Sequence, residues 1–88
     1  MDWNTPSTFT PTGLALRDQP APKVVRTLGD AAYILIKYWP YDDGEEYVGA
    51  VKACVDAISG QIAPEQFREA FLRAADEAGI ATFTVVHQ

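Results

Sequence analysis

The strongest constraint on this chain is a break. Two stretches of helical periodicity stop at and restart after Trp39-Pro40-Tyr41-Asp42-Asp43-Gly44-Glu45-Glu46-Tyr47. Pro40 ends the first, because the residue before a proline avoids helical angles. Asp43 and Glu46 have the spacing of a reciprocal cap for the second. A corner of this kind sets how two helices cross. It also gathers Trp39, Tyr41 and four carboxylates, which makes it the candidate binding surface.

The apolar spacing around the corner predicts three helices. Thr27 and Asp30 form a start signal for the first. Ala31, Ala32, Leu35 and Tyr38 or Trp39 share one face of it, and Ile34 and Ile36 widen that face, so this helix is expected to be the most buried. The second is expected to place Tyr47, Val51, Cys54 or Val55, and Ile58 inward, with Glu46, Lys52, Asp56 and Ser59 outward, and to stop at Gly60. The third starts at Pro64, where a missing N–H is harmless. It carries Phe67, Ala70, Phe71, Ala74 and Ala78 on one stripe and closes at Gly79.

Strand signals flank the helices. Residues 8–16 place Phe9, Leu14 and Leu16 inward. Pro11 cannot donate to a ladder, so this strand is expected at an edge or interrupted there. Asp18-Gln19-Pro20-Ala21-Pro22 is a turn, and residues 23–28 return as a hairpin partner. Residues 80–86 read as a third strand. The expected fold is α+β, a single domain over residues 8–88 in the order β-β-α-α-α-β. The hairpin and the last strand pack on three helices, and residues 1–7, with Trp3, form a tail.

The 88 residues carry a net charge of −5, and the seven basic residues are scattered. Nucleic-acid binding is disfavoured, because affinity for phosphates comes chiefly from clustered Lys and Arg. Docking on an anionic membrane is disfavoured likewise. No apolar window reaches the length of a membrane span, and the first residues have no signal-peptide pattern. A cytoplasmic location is expected.

Among potential chemical groups, Cys54 is alone and lies among apolar neighbours, so it reads as a buried thiol. His87, the one histidine, is penultimate. The corner carboxylates Asp42, Asp43, Glu45 and Glu46 are too closely spaced for a calcium loop. No metal, cofactor or catalytic set is expected. Arg68 opposes the dipole of its helix. It is expected to pair with Asp43 or Glu46, or to hold an anionic ligand. The candidate surface is therefore Trp39, Tyr41, Asp42, Glu45, Tyr47 and Arg68.

Trp39-Pro40, Gly44, Tyr47, Ala50, Cys54, Ala57 and Gly60, followed by Arg68, Ala70, Phe71, Ala74, Ala75, Ala78 and Gly79, resemble the domain-of-unknown-function family 982 of small alphaproteobacterial proteins. The resemblance spans roughly residues 23–80 and leaves the hairpin turn and last strand unmatched. It implies a bacterial source and a small cytoplasmic protein, with no activity attached. The chain is expected to be a non-enzymatic protein-interaction module that binds a protein partner or itself as a homodimer. The alternative is a sensor of small anionic ligands, with a pocket near Trp39, Tyr47 and Arg68.

Overall fold

The computed structural model describes residues 8–16, 20–40 and 43–85. The expected tail over residues 1–7, Asp18 and Gln19 of the turn, Tyr41, Asp42, Val86 and His87 lie outside them. The elements follow the expected order: β1 (Thr8–Ala15), β2 (Lys23–Thr27), α1 (Leu28–Lys37), α2 (Glu45–Ile58), α3 (Pro64–Glu77) and β3 (Ala81–Thr84).

The sheet is antiparallel in the order β2-β1-β3. β1 is thus central, despite Pro11. Its register against β2 slips between Thr8 and Thr12, so the proline sits at an interruption rather than at a sheet edge. The slip leaves Thr10 off the ladder, and Glu65 of α3 accepts from the Thr10 backbone N–H at 2.7 Å and from its hydroxyl at 2.8 Å. The Pro11 carbonyl accepts from the Val85 N–H at 2.9 Å.

Phe9, Thr12, Leu14, Leu16 and Val25 are buried, with Thr12, Leu14 and Leu16 on the alternate positions that face the helices. On the other face, Gly13 pairs with Val24 on one side and Phe83 on the other. The Phe83 ring lies across Gly13, where any β-carbon would collide with it.

The helix starts differ from one another. Thr27 caps α1 by accepting from the Asp30 N–H at 3.0 Å. The Asp30 carboxylate answers one residue early, accepting from the Arg26 N–H. At α3, Gln66 accepts from the Ala63 N–H at 2.8 Å, with Pro64 in the first turn. Both α2 and α3 end on a left-handed glycine, Gly60 and Gly79. The next N–H in each case returns to the helix, from Gln61 to the Asp56 carbonyl and from Ile80 to the Ala75 carbonyl. These are Schellman closures.

One core joins sheet and helices. α3 lies beneath β1 and β3, α1 beside β2, and α2 packs on α3 and less extensively on α1. On α3, Phe67, Ala70, Phe71 and Ala74 are buried as expected, Ala75 joins them, and Ala78 is only partly buried. It is α3 rather than α1 that contributes the largest buried rings, Phe67 and Phe71. On α1, Ile36 is 78% exposed and Tyr33 is also outside.

The face of α2 is corrected more strongly. Its buried residues are Ala50, Cys54 and Ala57, while Val51, Val55 and Ile58 point outward. At 100° per residue the helix is turned by about 80° from the expected orientation. The small residues of α2 face small residues of α3, which permits close approach of the two backbones. Branched side chains in that seam would hold the helices apart.

Candidate functional site

The corner between α1 and α2 is built on aromatic stacking. After the α1 C-cap at Tyr38, half-buried Trp39 turns back onto the core. Its ring lies 5.5 Å from Phe71 and 6.2 Å from Tyr47. Phe71 continues to Phe67, and Phe67 to Phe9. The aromatic row thus runs from the corner to the sheet. The Tyr47 hydroxyl donates to the Leu35 carbonyl at 3.0 Å, tying the start of α2 to the end of α1. Cys54, further along α2, approaches the Leu28 carbonyl. The two contacts run in opposite order along the helices, so α1 and α2 are antiparallel.

The expected cap of α2 by Asp43 and Glu46 does not form. The helix starts one residue later, with side-chain-free Gly44 at the N-cap. Its orphan donors go instead to α3: Glu77 accepts from the Glu46 N–H and the Tyr47 N–H, each at 3.2 Å. A carboxylate at a helix N-terminus also complements the dipole. Gly44 is required for this approach, since a β-carbon there would collide with the Glu77 carboxylate. The Glu46 side chain faces Arg73, with an N–O separation of 3.6 Å.

Arg68 does not join the corner. Its Nε donates to the Thr12 hydroxyl at 2.8 Å and its Nη2 to the Thr84 hydroxyl at 2.9 Å. Thr12 and Thr84 are opposed across β1 and β3, so the guanidinium fork clamps that strand pair onto α3. The Thr12 hydroxyl in turn donates a hydrogen bond to the Thr10 carbonyl. The expected partnership with Asp43 or Glu46 is replaced by this neutral pair of acceptors.

The structure therefore brings Trp39 and Tyr47 together, exposes Glu45 in the first turn of α2, and sends Arg68 to the sheet. Tyr41 and Asp42 lie outside the described residues. An open cleft of about 520 Å³ beside this corner is lined by Glu46, Leu72, Arg73, Asp76 and Glu77. Neither Trp39, Tyr47 nor Arg68 lines it. Three carboxylates around one arginine do not favour an anionic ligand. Among the described residues, no group of three or more His, Cys, Asp or Glu is placed to hold a metal ion.

Cys54 is buried, and loss of solvent pushes its thiol above the ordinary value. A nucleophilic cysteine needs the opposite shift. No described helix is long and apolar enough to cross a membrane.

A second surface was missed by the sequence reading. Val48 (57% exposed), Val51 (38%), Val55 (59%) and Ile58 (63%) form an outward apolar stripe along α2. The spacing is visible in the sequence, but the expected inward face takes in Val51, Ile58 and, as the alternative to Cys54, Val55, and Val48 falls on neither face.

The family model described as "Protein of unknown function (DUF982)" matches residues 10–82. The chain belongs to the DUF982 family. The match is longer than the sequence resemblance suggested. It takes in the β1–β2 turn and the first residues of β3, so the DUF982 region spans the three helices and most of the sheet described above. No curated protein and no solved structure matches this DUF982 chain.

Proposed function

We propose that this DUF982 protein is a non-enzymatic protein-interaction module and that the outer face of α2 is its interaction surface. One observation carries the reading: Val48, Val51, Val55 and Ile58 stand in a row on the solvent side of a helix whose core contacts are already made by Ala50, Cys54 and Ala57. Monomeric proteins rarely expose contiguous apolar patches beyond a few hundred Å², and larger ones mark contact sites. The buried thiol of Cys54, shifted away from reactivity, supports a non-catalytic role. A single reduced cysteine also agrees with a cytoplasmic location. The alternative sensor of anionic ligands has weaker support, because the guanidinium of Arg68 is engaged by Thr12 and Thr84.

The reading is tested by placing a benzophenone-bearing residue at Val55 and irradiating the native host. Discrete protein adducts are expected from Val55 and not from the same probe at Glu69, an exposed position of α3. Equal labelling from both positions, or none from Val55, overturns it.

A further inference from the structure

The α2 stripe has a spacing that a second copy of itself can meet. Val48, Val51, Val55 and Ile58 are separated by three, four and three residues, a palindrome centred on position 53. If a second α2 lies antiparallel, Val48 meets Ile58 of the other copy and Val51 meets Val55. These are the alternating layers of an antiparallel helix pair. An interface of this kind uses the same patch on both copies, as two-fold dimers do.

Charge on the stripe's flank is complementary in the same arrangement. Lys52 and Asp56 lie on the flank away from α1, and their intrahelical ion pair is 2.9 Å long with Lys52 mostly in solvent. In an antiparallel pair, like flanks meet. Each Lys52 is then brought equally near Asp56 and Lys52 of the other copy, so two opposite-charge contacts outweigh one like-charge contact, while the two Asp56 groups stay apart. The four charges form a neutral cluster at the centre of the interface.

The neighbouring helix extends the same face. On α2, turning from the contacts Tyr47 and Cys54 make with α1, away from buried Ala50 and Ala57, leads to the stripe. On α1, turning from Leu28 and Leu35, away from buried Ala31 and Ile34, leads to Ile36, which is largely exposed. Helical periodicity thus places Ile36 on the same outer side as Val48, Val51, Val55 and Ile58. Two helices, not one, present apolar surface there.

We propose that the occupant of this face is a second copy of the chain, docked with the two α2 helices antiparallel about a two-fold axis beside position 53. The proposal rests on the reading of α2 as the interaction surface. It adds the partner and the geometry.

The experiment uses the full chain with Cys54→Ala. Val51→Cys and Val55→Cys proteins are mixed in a glutathione redox buffer, alongside light scattering of the parent at high micromolar concentration. The expected results are a dimer and a 51–55 mixed disulfide in clear excess over 51–51 and 55–55. Val55→Glu, at an exposed position, is expected to retain the parent's circular dichroism and to weaken dimerisation at least about thirtyfold, as loss of a central apolar anchor does. A dimer that yields mainly 51–51 disulfides, or that forms a disulfide between Ile36→Cys and Val51→Cys instead, overturns the antiparallel geometry. A strict monomer overturns the choice of partner. Adducts to a different protein from the Val55 photoprobe then leave the interaction reading standing, whereas a monomer with no adducts removes both.

Discussion

At the residue scale, the same side-chain type does different work according to what lies across from it. Glu77 is one of several carboxylates on the chain, yet it holds the start of α2 from a helix 31 positions away in sequence. Glu77→Ala is expected to cost about 1 kcal/mol, the usual size of a lost N-cap, with Glu77→Gln losing less because one acceptor oxygen remains. Gly44→Ala should destabilise through the same contact, since its β-carbon displaces the carboxylate. Urea denaturation of the three variants checks this; a Gly44→Ala protein as stable as the parent would show that the cap is made elsewhere. Cys54 gives a pH dependence of known sign. Burial raises its pKa from the ordinary value of 9.0, so above that value the unfolded chain sheds a proton that the folded chain keeps. The unfolded state then binds fewer protons and is favoured. This contribution to stability is complete below the ordinary thiol value and is lost as pH rises from there through the raised value of the folded state. Cys54→Ala should flatten that alkaline decline in melting temperature. An unchanged slope would assign the decline to other groups.

At the element scale, α3 organises the molecule. Its Phe67 and Phe71 fill the core and its Glu65 and Arg68 fasten the sheet. Phe71→Ala should cost about 3–5 kcal/mol, enough to unfold much of a population whose total stability is of that order. A loss below about 1 kcal/mol in chemical denaturation would contradict the packing of Phe71 between Trp39 and Phe67. Arg68→Ala should cost about 1–2 kcal/mol by removing two hydrogen bonds, one to fully buried Thr12. Arg68→Lys should not restore the loss in full, because an ammonium lacks the planar fork that spans two threonines. Full recovery in thermal melts would mean that charge alone matters there. The face of α3 was legible because its apolar positions differ clearly from its polar ones, whereas α1 is apolar nearly all round and its expected face wrongly took in exposed Ile36. On α2 two candidate stripes coexist, one of Ala50, Cys54 and Ala57 and one of Val48, Val51, Val55 and Ile58. Hydrophobicity alone favours the second. Close approach to α3 selects the first.

At the scale of the whole molecule, the fold leaves apolar surface on two sides. One is the outer side of α1 and α2. The other is the outer face of the sheet, where Val24 and Phe83 flank Gly13. Small domains bury a limited fraction of their surface, so a second copy docked on the α2 face would add to the core. If the α2 face is the dimer contact, the melting temperature of the parent should rise with protein concentration. That of Val55→Glu should not. A parent melting temperature independent of concentration across the micromolar range would separate folding from association.

Local backbone chemistry accounts for the list of elements and for most of their ends. Pro40, Pro64, Gly60 and Gly79 act through local backbone geometry, and the Thr27 cap acts within one turn. Such effects need no distant partner, so they are legible in a string of residues. The aromatic corner was legible in part: Trp39 and Tyr47 do meet, because both flank a short connection. Long-range packing, by contrast, makes β1 central, sends Arg68 to the sheet, brings Glu77 to the start of α2 and turns the valines of α2 outward. Each depends on groups far apart in sequence, which no local backbone rule can bring together.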